Sequence, residues 1–176
     1  MDGWEQRFYT DMHLAPSWGY QVDETAGVIY GIWKKYKRDK EIKFLKDNLK
    51  MCEKASEFLQ KYLVGAGILG DPNGSEMQPS YDIWEENEGI HTYSLASIYG
   101  AFTALSKIYG EAEELFKNNR LKQNKLKDER KKLEEYQYKI KEYILKNLYN
   151  DKKKIFVRNN SDKKVDISLL RTSNTI

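Results

Sequence analysis

The chain has 176 residues, of which 40% are hydrophobic, 32% charged and 13% aromatic, and it carries a formal net charge of +3. This length fits one domain or part of a larger one, and the aromatic content argues against general disorder. Mean hydropathy is −0.80 and no apolar run approaches the roughly 20 residues that span a bilayer, which excludes a membrane-spanning protein. A single cysteine, Cys52, excludes an internal disulfide, and without a secretory signal pattern we expect a cytoplasmic protein.

The first third of the chain predicts a loop followed by two helices. The loop gives way to a helix over residues 23–36, whose apolar residues follow helical spacing. Gly27 and Gly31 are four positions apart, so they lie on one side of this helix, where we expect another helix to approach closely. Apolar residues then recur every three or four positions over 40–63, which predicts an amphipathic helix that packs on a core.

The remainder predicts two more helices and a short tail. In chain order we expect a long loop over 64–91, a helix over 93–116 capped by Thr92, a polar break over 117–125 and a helix over 126–148. The tail holds two apolar runs, 155–157 and 165–170, which form either a hairpin or an extended return into a further helix. These elements predict an all-α fold.

An acidic segment in the long loop is the strongest candidate for chemistry. No Lys or Arg occurs between Lys61 and Lys107, while the run Tyr81-Asp82-Ile83-Trp84-Glu85-Glu86 gathers three carboxylates. An indole ring beside Glu85 desolvates its carboxyl and a second acid repels its charge, so both effects raise its pKa toward the range of a general acid. Such a proton donor suits cleavage of a glycosidic bond. The alternative is an acidic surface turn anchored by Trp84.

A second candidate lies upstream, in the run Pro16-Ser17-Trp18-Gly19-Tyr20-Gln21-Val22-Asp23-Glu24. A tryptophan ring in a loop offers a flat face to a pyranose, and Gln21 and Asp23 offer the donors and acceptors that hydroxyls need. The alternative is a Trp18 plug with Asp23 as a helix N-cap. His91 is expected to be a cap or a core contact rather than a catalyst.

Charge is distributed unevenly along the chain. Residues 1–100 hold 11 basic and 16 acidic side chains, whereas residues 101–176 hold 19 basic and 11 acidic ones. A basic half can indicate nucleic-acid binding through residues 117–154, which predicts strong salt dependence. The alternative, which we favour, is a solvated lysine-rich helix face, so we expect neither a nucleic-acid partner nor a membrane.

The two acidic and aromatic runs also resemble a known family. Residues 79–86 with 89–93 resemble the catalytic-acid segment of the glucoamylase family of glycoside hydrolases, family 15, and residues 16–25 look like its upstream substrate loop. Residues 156–158 and 165–170 look like the stretch after the next helix pair. The three motifs stand in family order and span most of the chain.

The resemblance implies a barrel of six inner and six outer helices, of which residues 1–176 form one incomplete segment. It implies hydrolysis of terminal α-glucosidic bonds of α-glucans with inversion, and it implies no metal or organic cofactor. By position, Glu85 is the general acid. The residues implied in substrate binding are Trp18, Gln21, Asp23, Asp82, Ile83, Trp84 and Glu86.

The chain also departs from the family pattern. An inverting enzyme needs a second carboxylate as base, about 6.5–9.5 Å from the acid, and in the family this base lies far downstream. An upstream arginine-aspartate pair that grips the terminal sugar is also missing. We therefore expect self-association or a complementing chain that supplies the rest of the barrel. The rival interpretation is a non-catalytic helical module that binds a glucan or a partner protein.

Overall fold

The structure is a computed structural model, which describes residues 21–70, 80–84 and 87–169. Its helices are α1 (Val22–Asp39), α2 (Ile42–Gly65), α3 (Thr92–Leu115) and α4 (Arg120–Asn147). Two antiparallel ribbons accompany them. Between α2 and α3, β1 (Ser80–Tyr81) pairs with β2 (Glu88–Gly89), and after α4, β3 (Tyr149–Asn150) pairs with β4 (Ile155–Phe156). The prediction of an all-α fold is confirmed, and the helices fit a piece of a barrel of paired helices.

Helix α3 forms the centre of the core. It packs against α1, α2 and α4 and is buried on most of its faces. Its large buried side chains, among them Leu95, Ile98, Phe102 and Leu105, alternate with small ones such as Ala101 and Ala104. The small residues let neighbouring helices approach, while the large ones fill the space between them. The flanking helices bury one stripe each, as their amphipathic patterns predict.

No helix of the described residues approaches Gly27 or Gly31 closely. Both glycines are exposed, and a Cβ added at either one would meet no atom of the described residues within 4 Å. The buried stripe of α1 lies on its other side, at residues that include Ala26 and Ile29. The helical spacing was identified correctly, but it does not reveal which side a neighbour covers.

Two helix starts differ from the prediction. Helix α4 begins at Arg120, because the Asn119 side chain caps it by accepting a hydrogen bond from Lys122 N at 3.1 Å. The polar residues that follow are strong helix formers, so they extend the helix instead of breaking it. Helix α3 begins at Thr92 itself, and His91 holds the N-cap position. The Thr92 hydroxyl donates to the Val157 carbonyl instead of capping the helix.

The loops also differ from the prediction. The long loop over 64–91 contains the β1–β2 ribbon, which we call the acid hairpin. Within the described residues the apolar run at 155–157 does not pair with 165–169, since β4 pairs backwards with β3 across a turn at 151–154. The described part of the later run ends in one short 3₁₀ turn over 167–169, and the further helix that the sequence allows would lie outside the described residues.

Across the part of the chain that the structure describes, no helix combines the length and the apolar character needed to cross a membrane.

Candidate active site

Asp82 organises the tip of the acid hairpin. Its side chain is 4% exposed, and its carboxylate accepts hydrogen bonds from Trp84 N at 3.2 Å, from Asn87 N at 3.4 Å and from Asn87 Nδ2 at 2.7 Å. The Asp82 N–H donates in turn to the Asn87 carbonyl at 3.0 Å. One buried carboxylate therefore fixes the chain on both sides of Glu85 and Glu86. These two residues themselves lie outside the described ones.

Trp84 is held from a different part of the chain. Its indole Nε1 donates to both carboxylate oxygens of Asp166, at 3.1 and 3.2 Å, while the side chain stays 48% exposed. Asp166 is only 8% exposed, and it also accepts from Ser168 N at 2.8 Å and pairs with Arg158 Nη2 at 3.0 Å. Burial opposes its charge, but the hydrogen bonds from Ser168 and Trp84 and the charge of Arg158 prevail and lower the pKa of Asp166 to about 2.

The segment that carries Asp166 is fastened to the end of the acid hairpin. Asn160 Oδ1 accepts from Ile90 N at 3.0 Å, and Asn160 N donates to the Ile90 carbonyl at 3.2 Å. Thr92 N donates to the Arg158 carbonyl at 3.0 Å, and His91 forms a bridge with Asn159. These contacts hold residues 157–166 against the end of the acid hairpin.

His91 is a structural contact beneath the hairpin. It is 1% exposed, with Nε2 lying 3.1 Å from the Ser80 carbonyl and Nδ1 lying 3.4 Å from Asn159 Nδ2. A carbonyl accepts and an amide nitrogen donates, so the neutral ring with its proton on Nε2 satisfies both contacts. Burial lowers the pKa of His91 and favours this neutral form. The expectation of a cap or core contact is confirmed on both counts.

Asp23 lies in the first turn of α1, where Gln21 holds the N-cap position without a side-chain capping bond. The alternative of Asp23 as the N-cap is therefore wrong. Its Oδ1 is buried and has no hydrogen-bond partner among the described residues. Burial is the main cause that raises the pKa of Asp23, with smaller contributions from the charges of Glu24 and Asp82. The Asp82 charge therefore reaches Asp23, although the two residues come from different elements.

The sequence model of glycosyl hydrolases family 15 matches residues 4–175. The chain belongs to this family. The resemblance to the glucoamylase family is confirmed, which makes this a glycoside hydrolase of glucoamylase type with a carbohydrate substrate. Searches of curated proteins and of solved structures gave no match. Within the described ranges, no cluster of His, Cys, Asp and Glu has the composition of a metal site.

Some of the residues that match the family 15 motif by resemblance lie near one another in the described structure. Asp82, half-buried Ile83 and Trp84 lie together at the hairpin tip, and Asp23 lies within electrostatic reach of Asp82. Gln21 is half-buried where α1 begins. Trp18, Glu85 and Glu86 lie outside the described residues.

Two residues beside the acid hairpin have no predicted role from the sequence. Asp166 and Arg158 stand within motifs identified by resemblance, but no local pattern indicated that they reach Trp84. The gap without basic residues between Lys61 and Lys107 indicated a site free of cations. In the fold, Arg158 enters from downstream, and its charge is balanced by Asp162 at 3.3 Å and Asp166 at 3.0 Å.

Proposed function

We propose that this chain carries the general-acid part of a glucoamylase-type active site, with Glu85 as the proton donor. The reaction is hydrolysis of terminal α-glucosidic bonds of α-glucans and malto-oligosaccharides with inversion. The observation that supports this most is the Asp82 carboxylate, which binds the backbone N–H groups of Trp84 and Asn87. These are the described residues on either side of Glu85 and Glu86, and a catalytic acid needs neighbours that are held in place.

The reaction follows from one proton transfer and one attack by water. The protonated Glu85 carboxyl gives its proton to the glycosidic oxygen as the bond to the anomeric carbon breaks. Water attacks that carbon from the opposite face and loses a proton to a carboxylate base, so the anomeric configuration inverts. We assign the base to no residue of this chain. Neighbouring carboxylates favour both the protonated acid and the cationic sugar of the transition state.

The remaining motif residues are proposed to form the sugar pocket. The half-exposed Trp84 ring offers an apolar face, and Asp23 Oδ1 offers an acceptor that the described residues leave unused. A sugar hydroxyl at that oxygen would remove the cost of leaving it unpaired. Trp18, Gln21, Ile83 and Glu86 are assigned to the same pocket by their places in the family motif.

The test is glucose release from maltotriose by the chain, alone and mixed with the product of its flanking coding region. We expect Glu85→Gln to lower kcat by about 10²-fold or more, the usual contribution of a general acid. Glu88→Gln, two residues beyond Glu86 and exposed on β2, is the matched control and should change kcat less than about twofold. The released glucose should be the β-anomer by NMR.

Three results would contradict parts of this proposal. Equal kcat in Glu85→Gln and wild type would remove Glu85 from the acid role. Release of α-glucose would overturn inversion. Absence of hydrolysis under both conditions, with retained binding of maltoheptaose by calorimetry, would favour the non-catalytic glucan-binding module.

A further inference from the structure

Three described residues bind the Asp166 carboxylate. Arg158 and Ser168 N fix its carboxylate, and the third contact is the Trp84 indole, 82 residues away along the chain. The low pKa of Asp166 keeps the carboxylate ionised, and a charged acceptor forms a stronger hydrogen bond than a neutral one. The indole is therefore bound to an anchor that is itself fixed.

Trp84 is thus held at two points by two different carboxylates. Asp82 accepts from its backbone N–H and Asp166 accepts from its side-chain N–H. With one contact alone, the residue could still rotate about that contact. Two contacts, one at the backbone and one at the far end of the side chain, define its orientation. The side chain is nevertheless 48% exposed, so burial contributes little to holding it in place. The hydrogen bond to Asp166 is then the main restraint on the ring.

We infer that Asp166 is a positioning residue for the catalytic acid, acting through the Trp84 indole. This inference rests on the proposed role of Glu85, which follows Trp84 directly in the chain. Loss of the anchor would let the residue before the acid rotate and would misplace the carboxyl relative to the glycosidic oxygen. A displacement of about 1 Å at a reacting group can lower a rate about 10²-fold.

The test compares Asp166→Asn, Trp84→Phe and the double variant in the full chain together with its flanking coding region. Trp84→Phe keeps an aromatic ring but removes the N–H donor. Asp162→Asn is the matched control, since Asp162 pairs with the same Arg158 and its other oxygen accepts from Lys164 N. Asp162→Asn removes one negative charge from the same segment, as Asp166→Asn does, but it leaves the acceptor of the indole N–H unchanged.

We expect each of the two test variants to lower kcat about 10-fold to 100-fold with KM changed less than about threefold. The double variant should be no slower than the slower single variant, because both act on the same contact: Trp84→Phe removes the donor, and Asp166→Asn replaces the charged acceptor with a weaker, neutral amide oxygen. Asp162→Asn should stay within about twofold of wild type. Equal effects of Asp166→Asn and Asp162→Asn would overturn the inference, and so would multiplicative effects in the double variant.

A second readout does not depend on turnover. The Glu85 carboxyl carbon is titrated by ¹³C NMR in glutamate-labelled chain, and its signal is identified by its loss in Glu85→Gln. We expect Trp84→Phe, which leaves the Asp166 charge in place, to shift the titration midpoint, and Asp162→Asn to leave it unchanged. An unchanged midpoint in Trp84→Phe would overturn the inference. Full activity of Glu85→Gln would overturn the proposed function and, with it, a positioning role in catalysis, whereas an unchanged titration midpoint together with an inactive Glu85→Gln would overturn the inference alone.

Discussion

The Tyr62 hydroxyl lies 2.9 Å from Ser80 Oγ, and this contact joins the end of α2 to the first strand of the acid hairpin. Ser80 Oγ donates its only hydrogen to the Gly89 carbonyl at 3.1 Å, so Tyr62 is the donor in the pair. Both side chains are buried. The hairpin is therefore supported from below by α2 and from the side by residues 157–166.

Tyr62→Phe should weaken this support without changing the shape of the core. The variant removes one buried hydrogen bond and leaves Ser80 Oγ without its donor, so we expect a loss of about 1 kcal/mol in the free energy of unfolding. Urea denaturation measures it. Tyr138→Phe is the control, because Tyr138 is 68% exposed, and it should change the stability by less than about 0.5 kcal/mol. Equal stability of the two variants would show that the Tyr62 contact contributes nothing.

Gly89 allows the downstream segment to approach the hairpin. Its φ is +156°, and an added Cβ would lie 3.1 Å from Asn160 Oδ1 and 3.4 Å from two side-chain atoms of Asn159. Gly89→Ala should therefore strain the backbone and displace that segment, at a cost of about 1–3 kcal/mol in urea denaturation.

Gly27→Ala is the matched control for this glycine, because its helical position has open space. It should raise the stability by about 0.5–1 kcal/mol. A Gly89→Ala variant as stable as wild type would show that the segment can shift without cost.

His91 should make the stability depend on pH. Its pKa is lowered from 6.5 by burial, with Asp82 opposing and Arg158 adding to that shift. Below pH 6.5 the unfolded chain takes up a proton that the folded chain refuses, so the free energy of unfolding falls as the pH drops. His91→Gln should flatten this dependence between pH 7.5 and 5.5, as measured by urea denaturation at each pH. Parallel curves for the variant and wild type would show that folding does not shift the pKa of His91.

Asp23 should be a residue whose charge costs stability. Burial raises its pKa, so the ionised carboxylate that prevails at neutral pH destabilises the fold, and lowering the pH through that pKa removes the cost. Asp23→Asn should therefore raise the urea midpoint at pH 7, and the gain should shrink as the pH falls. A gain that stays constant with pH would assign the effect to something other than the charge.

The same Asp23→Asn variant should bind maltotriose more weakly if Asp23 lines the sugar pocket. Residues that bind substrate often lower the stability of the fold, so a variant can gain stability and lose affinity together. Calorimetric titration checks this. Glu24→Gln, at the exposed neighbouring position on α1, is the control and should bind as wild type does.

Helical periodicity was enough to predict the four helices that the structure describes, because spacing along one segment determines which of its faces can be buried. It located α1 and α2 to within a few residues, and the acidic run pointed to the hairpin tip. It did not predict that Trp84 binds Asp166 or that Arg158 enters the region without basic residues. Those contacts join segments more than 60 residues apart, and only the packing of α3 against α4 brings them together.

The 82-residue separation between Trp84 and Asp166 also determines when the site can form during translation. The acid hairpin leaves the ribosome first, but its indole anchor is made only after both long helices of the following pair. Closing so long a loop costs conformational entropy that local contacts do not offset, so we expect the contact between Trp84 and Asp166 to form late in folding. A nascent chain that ends before residue 158 would already contain Trp84, yet the carboxylate that binds its indole would not have been made.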